Sequence, residues 1–143
     1  MKNHITALGF FCTTLSVAAT PSSMQEGLWE TSSQATILGA KTQAPPTVTR
    51  ACYTQNDVER ENVAIPKDER CAITDYQLVG NAATWTINCA GKEKITGNGS
   101  LTFHGRTAYS GSATLRMAIE GQPEIQIRNS YSAKRIGDCP ASH

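Results

Sequence analysis

The clearest order in this chain is an alternation of apolar and polar side chains with a period of two. From Thr107 to Glu120 the odd positions read Tyr109, Gly111, Ala113, Leu115, Met117 and Ile119, while the even ones include Ser110, Ser112, Thr114, Arg116 and Glu120. Successive side chains of a strand point to opposite faces, so this pattern marks a strand that buries one side and wets the other. After Gly121-Gln122-Pro123 the alternation resumes, with Ile125, Ile127, Tyr131 and Ala133 against Gln126, Arg128, Ser130, Ser132 and Lys134. Pairing about that turn predicts Ile119 opposite Ile125 and Met117 opposite Ile127. Upstream, Gly99 to Phe103 folds back through His104-Gly105-Arg106, which sets Leu101 opposite Tyr109 on the same buried side.

A third hairpin runs from Cys71 to Val79, turns at Gly80-Asn81 and returns from Ala83 to Cys89. A turn centred on Gly80 predicts Cys71 opposite Cys89, Ile73 opposite Ile87 and Tyr76 opposite Thr84. A tight two-residue loop would slip the register by one and send the two cysteines to opposite faces. The hairpin therefore calls for an odd-length loop or a bulge, with Cys71 bonded to Cys89. Earlier strands are expected from Glu26 to about Ile37 and from about Thr47 to Tyr53. Between them and the hairpin, Thr54-Gln55-Asn56-Asp57 reads as a capping box, with Asp57, Glu59 and Glu61 placing acid in the first turn of a short helix that Pro66 bounds. The sum is an all-β fold: an antiparallel meander of about seven to eight strands, curled into a barrel or a sandwich, with one short helix and two disulfides.

The first residues break this pattern. Met1-Lys2-Asn3-His4 precedes an apolar run from Ile5 to Val17, followed by small Ala18 and Ala19. That order of basic start, hydrophobic middle and small residues is a secretory signal peptide, with cleavage expected after Ala19 and a single domain over residues 20–143. The run is too short and too interrupted by Thr and Ser to anchor the chain in a bilayer, and no transmembrane segment is expected after cleavage. Cys12 lies inside the run and follows Phe11 instead of a small residue, which argues against lipidation.

Removing the leader changes two further quantities. The chain carries 13 Lys plus Arg against 12 Asp plus Glu; loss of Lys2 brings them into balance. A neutral surface gives no electrostatic ground for nucleic acid as a partner. Of the five cysteines, Cys12 leaves, and Cys52, Cys71, Cys89 and Cys139 remain. An even set in an exported chain reads as disulfides. With Cys71 bonded to Cys89, elimination pairs Cys52 with Cys139, tying an early strand to the tail. The four are too widely spaced for a structural zinc site, whose ligands come in close pairs, so no metal and no cofactor is expected.

Candidate chemistry is sparse. His104 sits in a turn, and no Ser, His and acid set can be argued from spacing. Gly97-Asn98-Gly99-Ser100 reads as a bulge or turn, since the strand-to-helix setting of a nucleophile elbow or a phosphate loop is missing. The acids from Asp57 to Glu69 are interleaved with Arg60, Lys67 and Arg70 and read as solvated ion pairs. Arg128 and Lys134 share an outward face, as a charged sheet edge does. Trp29 and Trp85 occupy strand positions where tryptophan belongs to the core, and their alternative role is to line a ligand cavity.

Four stretches carry a resemblance: Gly27-Leu28-Trp29-Glu30, Ala83-Thr84-Trp85-Thr86-Ile87-Asn88-Cys89, Gly97-Asn98-Gly99-Ser100-Leu101-Thr102-Phe103, and Arg135-Ile136-Gly137-Asp138-Cys139-Pro140. Their order and spacing resemble the bacterial domain-of-unknown-function family numbered 3617, across nearly all of the chain after the leader. The resemblance implies a periplasmic protein of the Gram-negative envelope and carries no activity with it. The functional expectation is a non-enzymatic binding module for an apolar or amphipathic small ligand, with Trp29 and Trp85 as candidate lining. The alternative is an envelope protein–protein interaction or assembly factor.

Overall fold

The computed structural model describes residues 23–60, 64–65 and 68–141; the predicted leader, Met1 to Ala19, and Glu61, Pro66 and Lys67 lie outside the described residues. Seven strands, β1 (Gly27–Ile37), β2 (Thr47–Tyr53), β3 (Cys71–Val79), β4 (Ala82–Cys89), β5 (Lys94–Phe103), β6 (Ala108–Ala118) and β7 (Ile125–Gly137), enclose one helical turn, α1 (Gln55–Val58). They form a single antiparallel sheet in the order β2-β1-β7-β6-β5-β4-β3. Five consecutive strands make the meander, β1 returns alongside β7, and β2 lies outside β1. The all-β meander with one short helix is therefore the fold.

Its expected closure is not made. β2 and β3 stand at opposite ends of the sheet with no ladder between them, so there is no barrel, and all the strands belong to one sheet, so there is no sandwich. Closing a sheet requires its two edges to meet in register. Here three described residues between those edges, Val58, Ala64 and Ile65, are buried in the same cluster as Trp29, Trp85 and Tyr109 and cover that part of the inner face. α1 begins at the expected capping box, with Asp57 N–H donating to Thr54 Oγ1 at 3.3 Å and Thr54 N–H donating to Asp57 Oδ2 at 2.9 Å.

The alternation predicts the faces correctly and two registers incorrectly. Met117 lies opposite Ile125 and Leu115 opposite Ile127, while Leu101 lies opposite Gly111 and Phe103 opposite Tyr109. Each pairing differs from expectation by two residues, one full period, so the buried face is unchanged. The β3–β4 hairpin pairs Cys71 with Cys89 and Ile73 with Ile87, then slips before Gln77 meets Thr84. Tyr76 is thus displaced from its expected partner by a bulge in which Asp75 and Tyr76 together face Trp85. The bulge restores the cysteine register that the two-residue Gly80-Asn81 loop would otherwise destroy. Asp75 carries the left-handed φ, 53°, that such an extra residue adopts.

The Gly97-Asn98-Gly99-Ser100 run is neither bulge nor turn. β5 passes straight through it, pairing without a slip to β4 and β6. Its glycines are required by close approach: a Cβ on Gly99 would overlap the Trp85 indole, and one on Gly97 would meet Leu115 and the Thr114 carbonyl.

Candidate functional site

The inner face divides into two chemically distinct halves. Over β3 to β6 its side chains are Ile73, Ile87, Ile95, Ala113 and Leu115, and with Trp85 and Tyr131 they surround an apolar cavity of about 290 Å³. The Cys71–Cys89 disulfide closes one end. Asp68 and Arg70 stand at its border, where Arg70 Nη2 lies 3.0 Å from Asp68 Oδ2. The hydrogen bonds from Arg70 hold the Asp68 carboxyl below its ordinary range.

The other half lies under β1, β2 and β7. There the inward positions of β1 and β2 are Thr31, Ser33 and Thr49 instead of aliphatic residues, and with Tyr53, Tyr109 and Asn129 they line a second hollow of about 330 Å³. Ile65, Asn129 and Tyr131 border both hollows. Ile65, 3% exposed, hangs between them from the covering segment. The two spaces form adjoining lobes, the first almost wholly apolar and the second of mixed lining, with hydroxyls and an amide among apolar side chains.

The two tryptophans have different roles. Trp85 borders the apolar lobe, its ring flat against β5 where Gly99 leaves room. Its Nε1 is buried without a hydrogen-bond partner among the described residues, so packing alone holds the ring there. Trp29 borders neither lobe. It is 1% exposed, donates from Nε1 to the Gln25 carbonyl at 3.0 Å, and stacks on Tyr109 with centroids 5.6 Å apart. Tyr53, Phe103 and Tyr131 complete this aromatic cluster through edge contacts. Burial pushes the phenols of Tyr53, Tyr109 and Tyr131 above their ordinary value. Tyr131 donates its hydroxyl proton to the Ser100 carbonyl at 3.1 Å, across the space that Gly111 leaves open.

Both disulfides are present: Cys71–Cys89 within the hairpin and Cys52–Cys139 between β2 and the tail, with Cα atoms 3.9 and 5.4 Å apart. His104 lies on the outer face, its Nε2 2.8 Å from Ser110 Oγ. No acid hydrogen-bonds to this histidine among the described residues; the nearby Glu30 carboxylate is held by Arg50 at 2.9 Å and Lys134 at 3.9 Å. A hydroxyl and an imidazole without an orienting acid lack the arrangement of a nucleophilic triad. Arg128 and Lys134 lie on the outer face, where Arg128 neighbours Thr36 and Thr114, but they are not the expected charged sheet edge, because β7 lies between β1 and β6 inside the sheet. Among the described residues, no group of three His, Cys, Asp or Glu could hold a metal ion, and no helix is long and apolar enough to cross a membrane.

Sequence reasoning missed Ile65, Asn129 and the inward hydroxyls of Thr31, Ser33 and Thr49. Thr31 and Ser33 had a signal: they share a strand and a parity with Trp29, so a strand with Trp29 facing the core must also turn them inward, whereas Thr49 follows only from the pairing of β2 with β1, which sets it opposite Thr31. Ile65 had none, because it lies outside any periodic segment.

Fold and site together define a single-sheet, disulfide-stapled β domain with a hollow between the sheet and its cover. The chain belongs to the family described as protein of unknown function DUF3617, whose model matches residues 24–139. No curated protein and no solved structure matches it.

Proposed function

We propose that this chain is a non-enzymatic binding module of the Gram-negative periplasm that holds an apolar or amphipathic small ligand beneath the inner face of its sheet. The observation that carries the reading is the apolar cavity of about 290 Å³ walled by Ile73, Trp85, Ile87, Ile95 and Leu115. Small-molecule sites are mostly apolar clefts or cavities of about 300 to 1,000 Å³ with a few polar groups, and this one falls just short of that range. The periplasm is supported by the two disulfides, which persist in oxidising compartments, and by the leader-like first residues. The non-enzymatic reading rests on the unsupported His104–Ser110 pair.

The test is native mass spectrometry of the oxidised protein purified from a periplasmic extract, together with displacement of a fluorescent apolar probe. The expected result is a copurifying small molecule that competes with the probe, and Leu115→Trp, which fills the cavity, should abolish both signals. Probe binding that Leu115→Trp leaves unchanged would overturn the reading.

A second reading, an envelope interaction or assembly factor, draws on the β2 edge. This strand pairs on one side only and leaves Val48 59% exposed, which offers a backbone ladder to a partner's strand. A crosslinked envelope partner lost on Thr49→Pro would favour it.

A further inference from the structure

We infer that the outer face of the sheet carries a second binding site, a trough across β3 to β6 that takes an extended, neutral oligosaccharide. It lies on the opposite face from the apolar cavity and does not rest on it. The hollow measures about 470 Å³ and crosses the middle of four neighbouring strands. The ladders line up its outward side chains in two rows. Thr84, Ser100 and Ser112 lie directly opposite one another across β4, β5 and β6, and Thr86, Asn98 and Thr114 do the same one step along. Gln77 continues the first row onto β3, and the bulge adds Asp75 to the same lining.

Two features set this trough apart from an ordinary wet sheet face. Exposed surfaces carry long charged side chains at about a quarter to a third of their positions, whereas the outward side chains here are short hydroxyls and amides, with Asp75 as the charged member of the described lining. The local sequence also opposes the strands it forms. Asp and Asn are disfavoured in strands, yet Asn98 stands inside β5 between Gly97 and Gly99, and Asp75 holds a φ of 53°. The glycines answer to packing on the inner side; Asn98, exposed on the outer side, does not. Natural sequences break such local rules where a site requires it. These side chains are exposed or half-buried, and the protein makes little use of them: apart from Thr74 Oγ1 donating to Asp75 Oδ2 at 3.4 Å, no side chain lining the trough hydrogen-bonds to a described residue.

The chemistry of the ligand follows from the groups present. Hydroxyls and amides both donate and accept, and a carboxylate accepts from two neighbouring hydroxyls, so a chain of sugar hydroxyls matches the trough group for group. The Asp75 charge works against an acidic sugar or a phosphate. Neighbouring strands stand about 4.8 Å apart, close to the advance per ring of an extended 1,4-linked pyranose chain. A sugar strand laid across the ladders would bring one ring over each of β3 to β6.

Amide chemical-shift titration of the oxidised protein with cellohexaose and chitohexaose, against an oligogalacturonate of the same length, tests this. At least one neutral oligosaccharide should give saturable shifts centred on Thr84, Asn98, Ser100 and Ser112 and bind more tightly than the anion. Thr84→Val, Thr86→Val and Thr114→Val together keep the branched shape of threonine and remove three hydroxyls, so the combined variant should bind at least about tenfold more weakly. Asn98→Val favours the strand; it should raise the thermal midpoint and weaken sugar binding, whereas a merely structural asparagine would leave binding unchanged. Leu115→Trp, which fills the apolar cavity on the other face, should leave the sugar titration as it was. Absence of saturable shifts with both neutral sugars, tighter binding of the oligogalacturonate, or an affinity that the valine variants retain would overturn the trough as a sugar site. A titration abolished by Leu115→Trp would move the sugar to the cavity and overturn it equally.

Discussion

Cys71 lies directly opposite Cys89 because β3 holds one residue more than β4 between the disulfide and the Gly80-Asn81 turn. That extra residue is accommodated at Asp75, whose φ of 53° is open to Asp and Asn but costly for a β-branched side chain. Asp75→Val should therefore destabilise the fold by about 1 to 3 kcal/mol, read as a lower urea midpoint with the slope unchanged. Asp75→Gly should stay near wild type. Equal midpoints for Val and Gly would show that the bulge does not constrain the fold.

The two disulfides close loops of very different length, with sequence separations of 87 and 18. Chain entropy then assigns about 4.6 kcal/mol to Cys52–Cys139 and about 3.2 kcal/mol to Cys71–Cys89. Replacing Cys52 and Cys139 together with alanine should lower stability by about 1.4 kcal/mol more than the same change at Cys71 and Cys89. Denaturant unfolding of the two double variants, each with its remaining disulfide intact, measures the difference. The opposite order would show that closure of the hairpin, beside the apolar lobe, matters more than tying the chain's ends.

How far the sequence revealed this molecule depends on which physical quantity is asked for. Alternation reports the face of a side chain, and the faces of β6 and β7 were legible from it; it cannot report which pair of residues meet, because slipping by two preserves the faces. The same faces therefore fit Leu101 opposite Tyr109, the expected pairing, and Phe103 opposite Tyr109, the observed one. The bulge was legible because a two-residue Gly80-Asn81 loop would send Cys71 and Cys89 to opposite faces unless one strand held an extra residue. Open edges were not legible, since closure depends on what covers the inner face, and Ile65 belongs to no periodic segment. Trp29 and Trp85 look alike in sequence. Only the packing around them shows that one is fixed among aromatics and the other borders the hollow.

Alkaline pH should weaken the fold through the buried tyrosines. Desolvation raises the phenols of Tyr53, Tyr109 and Tyr131 above their ordinary value, with the Asp57 charge adding to it at Tyr53. A phenol raised in the folded chain ionises more readily when unfolded, so the unfolded chain releases protons that the folded chain retains. Stability should be flat with respect to these groups below about pH 10 and fall above it. Urea midpoints across that range, together with tyrosinate absorbance, check the sign. Full ionisation of every tyrosine near pH 10 without loss of structure would contradict the burial of this cluster.

Gly99 and Gly137 separate steric need from the general weakness of glycine in strands. Replacing a strand glycine with alanine ordinarily helps, because alanine loses less backbone freedom on folding. At Gly137 nothing lies within 4 Å of where a Cβ would stand and φ is not left-handed, so Gly137→Ala should be neutral or stabilising by up to about 1 kcal/mol. At Gly99 the new methyl would overlap the Trp85 indole and come within 2.8 Å of its Nε1. The ring cannot retreat into β5, so it must swing into the apolar lobe or the strands must part. Gly99→Ala should cost about 1 to 3 kcal/mol and, by driving Trp85 into the cavity, weaken binding of an apolar probe by more than its effect on stability explains. Thermal unfolding and probe titration on the same samples separate the two effects. Loss of stability with unchanged probe affinity would mean that the displaced ring moves away from the cavity, and Trp85 would then be a core residue alone.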